Sequence, residues 1–350
     1  MFDEIKAAPA VIEFVKNSML LRQFCRIAEL CVSGCPIIPL KGMSLLLTLY
    51  KDDYSRNVGD MDLFIPADRI DYFTGKVHAL GYKTKNPRQA TKRIQSKGKF
   101  DMVNDDPRFC DLDIHVDLIT KKFFRQTAVG FTSFALSRLH TIVYRQINIP
   151  LLSPVDEWLY LAQHYCFHLF SGEKWLKDLY LLQSYFEEKE IAELLIVAKR
   201  FHFKRVVTAV GHCLRCYYPA DEIKIPLMDI GRNYLFKRLL RKPDIRFSRR
   251  LTDRIIAVYW EFLFIDRFAS GMGAYIRLLF PGISLLCNIY NLPFPFTGWL
   301  LYPFHIIMVI LSSILFAPLV IKKFAVYCPA GSAVNDKNQD TPQGAGIYTS

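Results

Sequence analysis

The alternation of apolar and polar positions predicts a strand between residues 58 and 65. In "RNVGDMDLFI" the apolar Met61 and Leu63 alternate with Asp60 and Asp62. A repeat of two is typical of a strand that buries one face, because successive side chains point to opposite sides of a sheet. Asp60 and Asp62 therefore share the polar face, where each carboxylate raises the free-energy cost of ionising the other. Either this face is open to solvent, or a strongly positive group belongs beside it.

The same alternation recurs in "CDLDIHVDLI" and predicts a second strand. Its polar face carries Asp111, Asp113 and His115, and its other face is apolar. Upstream, "CPIIPLKG" predicts a short strand that ends at Gly42, and "MSLLLTLY" predicts a helix directly after it. Apolar residues at helical spacing in residues 10–33 predict one or two amphipathic helices. The first part of the chain thus combines short strands with helices.

A change of pattern near residue 150 predicts a helical second part. "LSPVDEW" contains Ser153-Pro154 followed by two acidic residues, which is a common helix start. Helical spacing of apolar residues then continues to about residue 268. We therefore expect residues 1–150 to form a domain of strands and helices, and residues 151–277 to form an all-α domain.

The C-terminal part shows the sharpest change in composition. From Leu278 to Ile321 the chain has no charged residue, and "GWLLYPFHIIMVILSSILFAPLVIKK" is longer than the about 20 residues that cross a bilayer. Residues 278–325 are therefore predicted either to associate with a membrane or to form a buried, proline-kinked helical cap. Residues 326–350, rich in Gly, Asn, Asp, Gln and Ser, are predicted to be disordered.

Charge and cysteine content extend this picture to partners and location. The chain of 350 residues carries a net charge of +12, with basic clusters at Lys83–Lys99 and Lys237–Arg254. Such clusters suit phosphates, nucleic acid or anionic lipid, although solvated surface lysines have the same composition. The nine cysteines are scattered in apolar contexts and no signal peptide opens the chain, so we expect reduced thiols and a cytoplasmic location.

The two acidic strands suggest a divalent-cation site. Asp60 and Asp62 on one strand and a third carboxylate on a neighbouring strand would make an oxygen-rich site for Mg²⁺. Periodicity leaves open whether the third carboxylate is Asp113 or Asp111, since both share a face. Lys41-Gly42, at a turn into a helix, would let backbone N–H groups approach a triphosphate. Two Mg²⁺ ions there could activate a hydroxyl and stabilise a leaving pyrophosphate.

Four stretches in a fixed order give a resemblance to a known family: "PLKGMSLLLTLY", "SRNVGDMDLFIPADRIDYFTGKVHALGY", "LDIHVDL" and "LSPVDEWLYLAQHYCFH". Over roughly residues 10–220 the chain resembles the uncharacterised nucleotidyltransferase family of bacterial polysaccharide and peptide biosynthesis clusters, within the DNA polymerase β-like superfamily. The resemblance implies an α+β fold: a small mixed β-sheet core with flanking helices, then the all-α domain and the apolar C-terminal segment. It also implies site residues: the metal ligands and catalytic carboxylates Asp60, Asp62 and Asp113, the triphosphate-binding Lys41 and Gly42, and the phosphate clamp Arg56.

The function that the resemblance implies is Mg²⁺-dependent transfer of a nucleoside monophosphate from ATP or another nucleoside triphosphate. The acceptor would be a hydroxyl or phosphate on a glycan, peptide, protein or RNA, in surface polysaccharide or peptide biosynthesis. The basic clusters beside an apolar segment would suit attachment to the inner, anionic face of a membrane. The alternative is a catalytically inactive nucleotide-binding or scaffolding protein at the membrane. It is favoured by Lys41-Gly42, because the wider superfamily has Gly-Ser or Gly-Gly at this turn.

The helix containing "HYCFH" allows two interpretations. His164 and His168, one turn apart, could bind zinc together with Cys213 and Cys216. The spacing matches no zinc-finger pattern. The family resemblance, which includes this helix and the "KDLYLL" after it, implies instead that His164 and Asp178 shape the cleft or support the first domain. The nearby aromatic residues are predicted to belong to the core: Tyr160, Phe167, Phe170 and Trp175.

Overall fold

The computed structural model describes most of the first two thirds of the chain, with short gaps. The described residues are 9–31, 34–51, 55–87, 90–91, 94, 98–119, 128–168, 170, 172–227, 276, 280, 302–307 and 310–311. The predicted tail, the basic cluster Lys237–Arg254 and most of the apolar segment 278–325 lie outside them. No helix among the described residues is both long and apolar enough to cross a bilayer. The predicted membrane attachment therefore has no support within that part of the chain.

A small mixed sheet forms the centre of the first part. Its strands in the described residues are β1 (Ile38–Pro39), β2 (Met61–Phe64), β3 (Tyr82–Thr84), β4 (Lys99–Asn104) and β5 (Leu112–His115). They are arranged in the order β1-β2-β5-β4-β3. β2 and β5 run parallel, whereas β1–β2, β5–β4 and β4–β3 are antiparallel. Together with the helices this confirms the predicted α+β class and the small mixed sheet.

Helices surround the sheet and continue after it. Their bounds are α1 (Pro9–Cys31), α2 (Gly42–Leu47), α3 (Ile70–His78), α4 (Phe131–Leu136), α5 (Pro154–Phe167), α6 (Glu173–Ser184), α7 (Glu188–Arg200) and α8 (Lys204–Tyr217). Short 3₁₀ turns lie at Ala67–Arg69 and Ala220–Glu222. The strands β6 (His140–Tyr144) and β7 (Ile147–Leu151) pair as an antiparallel hairpin. α1 packs against α3 and β7, and α5 packs against α6, α7 and α8.

The start of α5 follows from its first residues. The Ser153 hydroxyl accepts a hydrogen bond from the Asp156 N–H at 3.2 Å, and Pro154 occupies the first helical position, where no N–H partner is needed. This confirms the predicted helix start. Buried side chains from the sheet and from α5 to α8 belong to one continuous core, and the predicted domain boundary near residue 150 stays a prediction.

One face of the sheet is apolar and the other is polar, as the alternation predicts. Apolar side chains of the central strands are fully buried: Met61, Leu63, Phe100, Met102, Leu112 and Ile114. The strands are shorter than predicted, since Asp60 precedes β2. The stretch 83–99, interpreted as a loop with a strand edge, contains part of β3 and ends at the first residue of β4. Sheet pairing thus extends into the basic cluster.

A buried ion pair connects the segment before β2 to the helical part. The Arg56 Nε donates to both carboxylate oxygens of Asp178, at 3.0 and 2.9 Å, and its Nη2 donates to Oδ2 at 2.7 Å. The Tyr50 hydroxyl donates to the same carboxylate at 3.0 Å. Both charged side chains are almost completely buried. This geometry agrees with the expectation that Asp178 supports the first domain.

We predict that Asp178→Asn strongly destabilises the protein. The substitution leaves the Arg56 guanidinium buried without a compensating charge, and breaking such a pair costs about 3–5 kcal/mol. The free energy of unfolding from urea titrations measures the loss. Asp105→Asn is the matched control, because the Lys83–Asp105 pair is exposed and should leave stability close to that of the unsubstituted protein. Equal, small effects of both substitutions would contradict the prediction.

Candidate active site

Two carboxylates lie side by side at the centre of the polar face. In the parallel pairing of β2 with β5, Asp62 is directly opposite Asp113, and neighbouring strands are about 4.8 Å apart. The His115 Nε2 is 2.9 Å from Asp62 Oδ1 and 3.4 Å from Asp113 Oδ2. One ligand atom from each of these three residues lies within 4.8 Å of the others. Asp113, and not Asp111, is thus the residue that the register places opposite Asp62.

Two lysine ammonium groups supply positive charge to this pair. Lys41 Nζ is 2.5 Å from Asp62 Oδ1, and Lys99 Nζ contacts Asp113 Oδ2. Burial raises the pKa of Asp62, but Lys41 and His115 outweigh it and the net pKa is lowered. For Asp113, burial is likewise outweighed by His115 and Lys99, and the pKa lies well below its usual value. Both carboxylates are therefore ionised at neutral pH.

The turn between β1 and α2 fixes Lys41 in this position. Lys41 has a φ of 50°, in the left-handed region, and immediately precedes α2. At Gly42 an added Cβ would lie 2.8 Å from Arg56 Nη1 and 2.9 Å from a Val58 methyl group, so only glycine fits. Close packing against Arg56 and Val58 thus explains why position 42 is a glycine. Contact of Lys41 and Gly42 with a triphosphate stays a prediction.

Two other predicted site residues are not part of the cluster: Asp60 lies at its edge, and Arg56 is bound to Asp178. Asp60 is exposed, directly before β2, and is not one of the three closely grouped residues. Partial desolvation and the Asp62 charge raise the pKa of Asp60. The Arg56 guanidinium is held by Asp178, which favours a structural role, and its predicted role as a phosphate clamp stays a prediction.

Helix α5 lies over the polar face of the sheet. Glu157, Tyr160 and His164 are spaced three and four residues apart and so share one side of the helix. The Tyr160 ring is edge-on to the His115 ring, with 6.4 Å between centroids. Burial, with Lys41 as the next contributor, holds the pKa of His164 well below its ordinary value, so its imidazole is neutral.

A buried polar atom in the cluster lacks a partner. Within the described residues, Asp113 Oδ1 accepts no hydrogen bond although it is inaccessible to solvent. A buried, ionised oxygen without a donor is costly and commonly marks a position for a ligand. Two carboxylates and an imidazole are suitable donors for a divalent cation. The side-chain exposure rises from 6% at Asp62 to 12% at Asp113 and 26% at Lys99, so the cluster opens to solvent on the Lys99 side.

Two residues beside this site, Lys99 and Asp101, were not predicted from the sequence. Lys99 and Asp101 alternate with apolar residues in "KFDMV", which is a strand signal, but the basic residues before it suggested a loop. Asp101 pairs with Asp113 on the side away from Asp62. Among the described residues, the zinc site considered for the histidines of "HYCFH" does not form, since the one group able to hold a metal is that of Asp62, Asp113 and His115.

The comparison with protein families agrees with this geometry. The sequence model of a family described as an uncharacterised nucleotidyltransferase matches residues 10–219. The matched region includes the mixed sheet, the carboxylate cluster and helices α5 to α8. No curated protein and no solved structure matches the chain.

We predict that Glu157 makes the stability of the protein depend on pH. Burial, opposed by the Ser44 hydroxyl and reinforced by Asp178, raises the pKa of Glu157 from 4.5 to about 7. Between these two values the folded state binds a proton that the unfolded state has lost. Stability should therefore fall as the pH rises from about 4.5, and level off above about 7, after a loss of roughly 3 kcal/mol.

Glu157→Gln removes this titration. The free energy of unfolding of the variant should therefore rise relative to that of the unsubstituted protein between pH 5 and pH 8, by about 3 kcal/mol over the whole titration. Urea unfolding across this range measures the difference. Glu188→Gln, at the exposed start of α7, is the control and should follow the parent profile. A constant difference between Glu157→Gln and the parent across the range would refute the prediction.

Proposed function

The chain belongs to the uncharacterised nucleotidyltransferase family, and on this premise we propose that it transfers a nucleoside monophosphate from a nucleoside triphosphate to a hydroxyl or phosphate acceptor. The observation that carries the proposal is the pairing of Asp62 with Asp113, with one Asp113 oxygen buried and without a donor among the described residues. Ionised carboxylates held side by side are suited to the cations that accompany a triphosphate.

The proposed ligands of a divalent cation are Asp62 and Asp113, with His115 beside them and Asp60 at the exposed edge. Mg²⁺ is the proposed ion because carboxylate oxygens and phosphates are its preferred partners, and Asp60 is proposed to serve a second ion of a two-metal site. A bound cation would supply positive charge that stabilises the negative charge developing on the phosphates.

The side chains of this protein would contribute mainly positioning and charge. Lys41 and Lys99 each carry an ammonium group at the cluster, and both can contact phosphate oxygens once a triphosphate is present. The Asp113 carboxylate can accept a hydrogen bond from the acceptor hydroxyl and so orient it. The acceptor oxygen forms a bond to the α-phosphorus, and the proton of an acceptor hydroxyl passes to the Asp113 carboxylate. The bond from this phosphorus to the bridging oxygen breaks, and pyrophosphate leaves with the electron pair.

The acceptor proposed from the sequence resemblance is a glycan or peptide precursor of the cell surface, with protein side chains and RNA ends as the other classes. These classes differ in mass and in sensitivity to nucleases, proteases and glycosidases. Digestion and mass analysis of a labelled product would therefore identify the acceptor.

A second candidate function is nucleotide binding without catalysis. One observation favours it: Lys41 and Lys99 already compensate the carboxylates, so the cluster is stable without a cation. A protein that uses its lysines only to bind a triphosphate could act as a scaffold beside other enzymes.

We predict that Asp62→Asn and Asp113→Asn each abolish nucleotidyl transfer. Removal of one charge from the pair removes a contact to the cation and should lower the rate at least about 100-fold. The assay incubates the purified chain with each of the four α-labelled nucleoside triphosphates, Mg²⁺ and a cell lysate, and measures label on the acceptor.

Asp111→Asn is the control, because Asp111 is two positions from Asp113 but exposed, and it should retain transfer. Circular dichroism shows whether each variant is folded. Transfer that continues in folded Asp62→Asn would refute the assignment of the carboxylate pair as the catalytic site. Absence of transfer by the parent chain, with nucleotide binding retained, would support the scaffold.

A further inference from the structure

An aromatic cluster lies where α5 meets α6. It consists of His164 and His168 near the end of α5 and Trp175 in the first turn of α6. The ring centroids are separated by 4.3 Å between the histidines, by 4.9 Å from His164 to Trp175, and by 4.6 Å from His168 to Trp175. We call these three residues the aromatic cluster.

The aromatic cluster adjoins the carboxylate site. Tyr160 is edge-on to His115 in the site, and His164 follows one turn later on the same side of α5, about 6 Å further along the helix axis. The charges of Lys41 and Lys99 act on His164. A ligand whose phosphates contact these lysines would therefore have the aromatic cluster beside its non-phosphate end.

The cluster differs from a core aromatic group in its exposure. Tyr160 and Phe170 are buried, as predicted for the aromatic residues of this region, but Trp175 is only partly buried and His168 is exposed. Trp175 thus packs against the core but is not fully buried in it. The Trp175 ring also has the Lys174 ammonium group over it, 5.7 Å from the ring centroid. A partly exposed ring offers a surface for a second flat ring once this lysine side chain moves aside.

The backbone at Gly172 holds the Trp175 ring in place. Gly172 has a φ of 114°, and an added Cβ would lie 2.9 Å from Trp175 Cε3. Glycine therefore lets the ring lie directly against the chain, which limits its rotation. A ring fixed in advance loses little conformational entropy when a ligand stacks on it.

We propose that Trp175 and His168 form a stacking subsite for the nucleobase of the nucleoside triphosphate. The inference rests on the proposed function and adds to it the residues that recognise the base. A site made of stacking aromatic side chains can bind every base, since each base has a flat π-face. The subsite would thus supply affinity for the nucleoside, while the lysines supply affinity for the phosphates.

The test separates the two parts of the ligand. Titration calorimetry in Mg²⁺ measures binding of ATP, GTP, CTP, UTP and inorganic tripolyphosphate to the full chain and to Trp175→Ala. Loss of a base–aromatic contact should weaken the binding of nucleoside triphosphates roughly 5- to 100-fold. Tripolyphosphate, which has no base, should bind both proteins equally, and Trp175→Phe should restore most of the nucleotide affinity.

Tyr185→Ala is the matched control. Tyr185 is an exposed aromatic residue at the other end of α6, about 15 Å from Trp175 along the helix, and its removal should leave all affinities unchanged. Circular dichroism checks the fold of each variant. If Trp175→Ala is unfolded, His168→Ala takes its place, because the His168 side chain is exposed.

The outcomes distinguish this inference from the proposed function. Selective loss of nucleotide affinity supports the stacking subsite. Unchanged nucleotide affinity in the folded variants, or an equal loss for tripolyphosphate, overturns the subsite while nucleotide binding by the parent chain stands. Failure of the parent chain to bind any of the five ligands overturns the proposed function and the subsite with it.

Discussion

The parallel pairing of β2 with β5 is the constraint on which the site depends. The register of the two parallel strands decides which residues lie beside each other, and here it places Asp62 beside Asp113. Two buried carboxylates at this separation repel strongly unless positive charge is close to both. The turn at Lys41 and the strand β4 with Lys99 supply that charge. The local geometry around the sheet is thus organised around one electrostatic requirement.

The helical part completes the site and is not an independent addition to the sheet. α5 contacts the polar face through Tyr160, and α6 binds the segment before β2 through Asp178 and Arg56. Because this ion pair is buried, its geometry fixes α6 relative to β2. The ring of Trp175, at the start of the same helix, is held in the same way relative to the carboxylates. The spacing between the phosphate-binding and base-binding regions of the proposed site therefore depends on the Arg56–Asp178 contact, which adjoins Gly42 and lies one helical turn from Trp175.

Local patterns in the sequence were sufficient for the two acidic strands and for the start of α5, but not for the partners of these elements. The alternation around Asp62 and around Asp113 predicted two acidic strands, because a repeat of two is a property of each strand alone. It could not separate Asp111 from Asp113, since both share a face and only the register of β5 against β2 distinguishes them. Arg56 was assigned to phosphate by the family resemblance, whereas the structure gives it a partner 122 positions away. Contacts at such separation leave no local signal in a single sequence.

The lysines beside Asp62 and Asp113 act as internal counter-ions. A cation that binds Asp62 Oδ1 or Asp113 Oδ2 would have to displace the ammonium group already in contact with that oxygen, so ligation there would be an exchange and not a simple addition. The net free energy of cation binding is therefore less favourable than it would be at carboxylates without these lysines. The displaced ammonium groups become available to a polyanion at the same moment. Metal and triphosphate would then enter with positive cooperativity, each lowering the free-energy cost of binding the other.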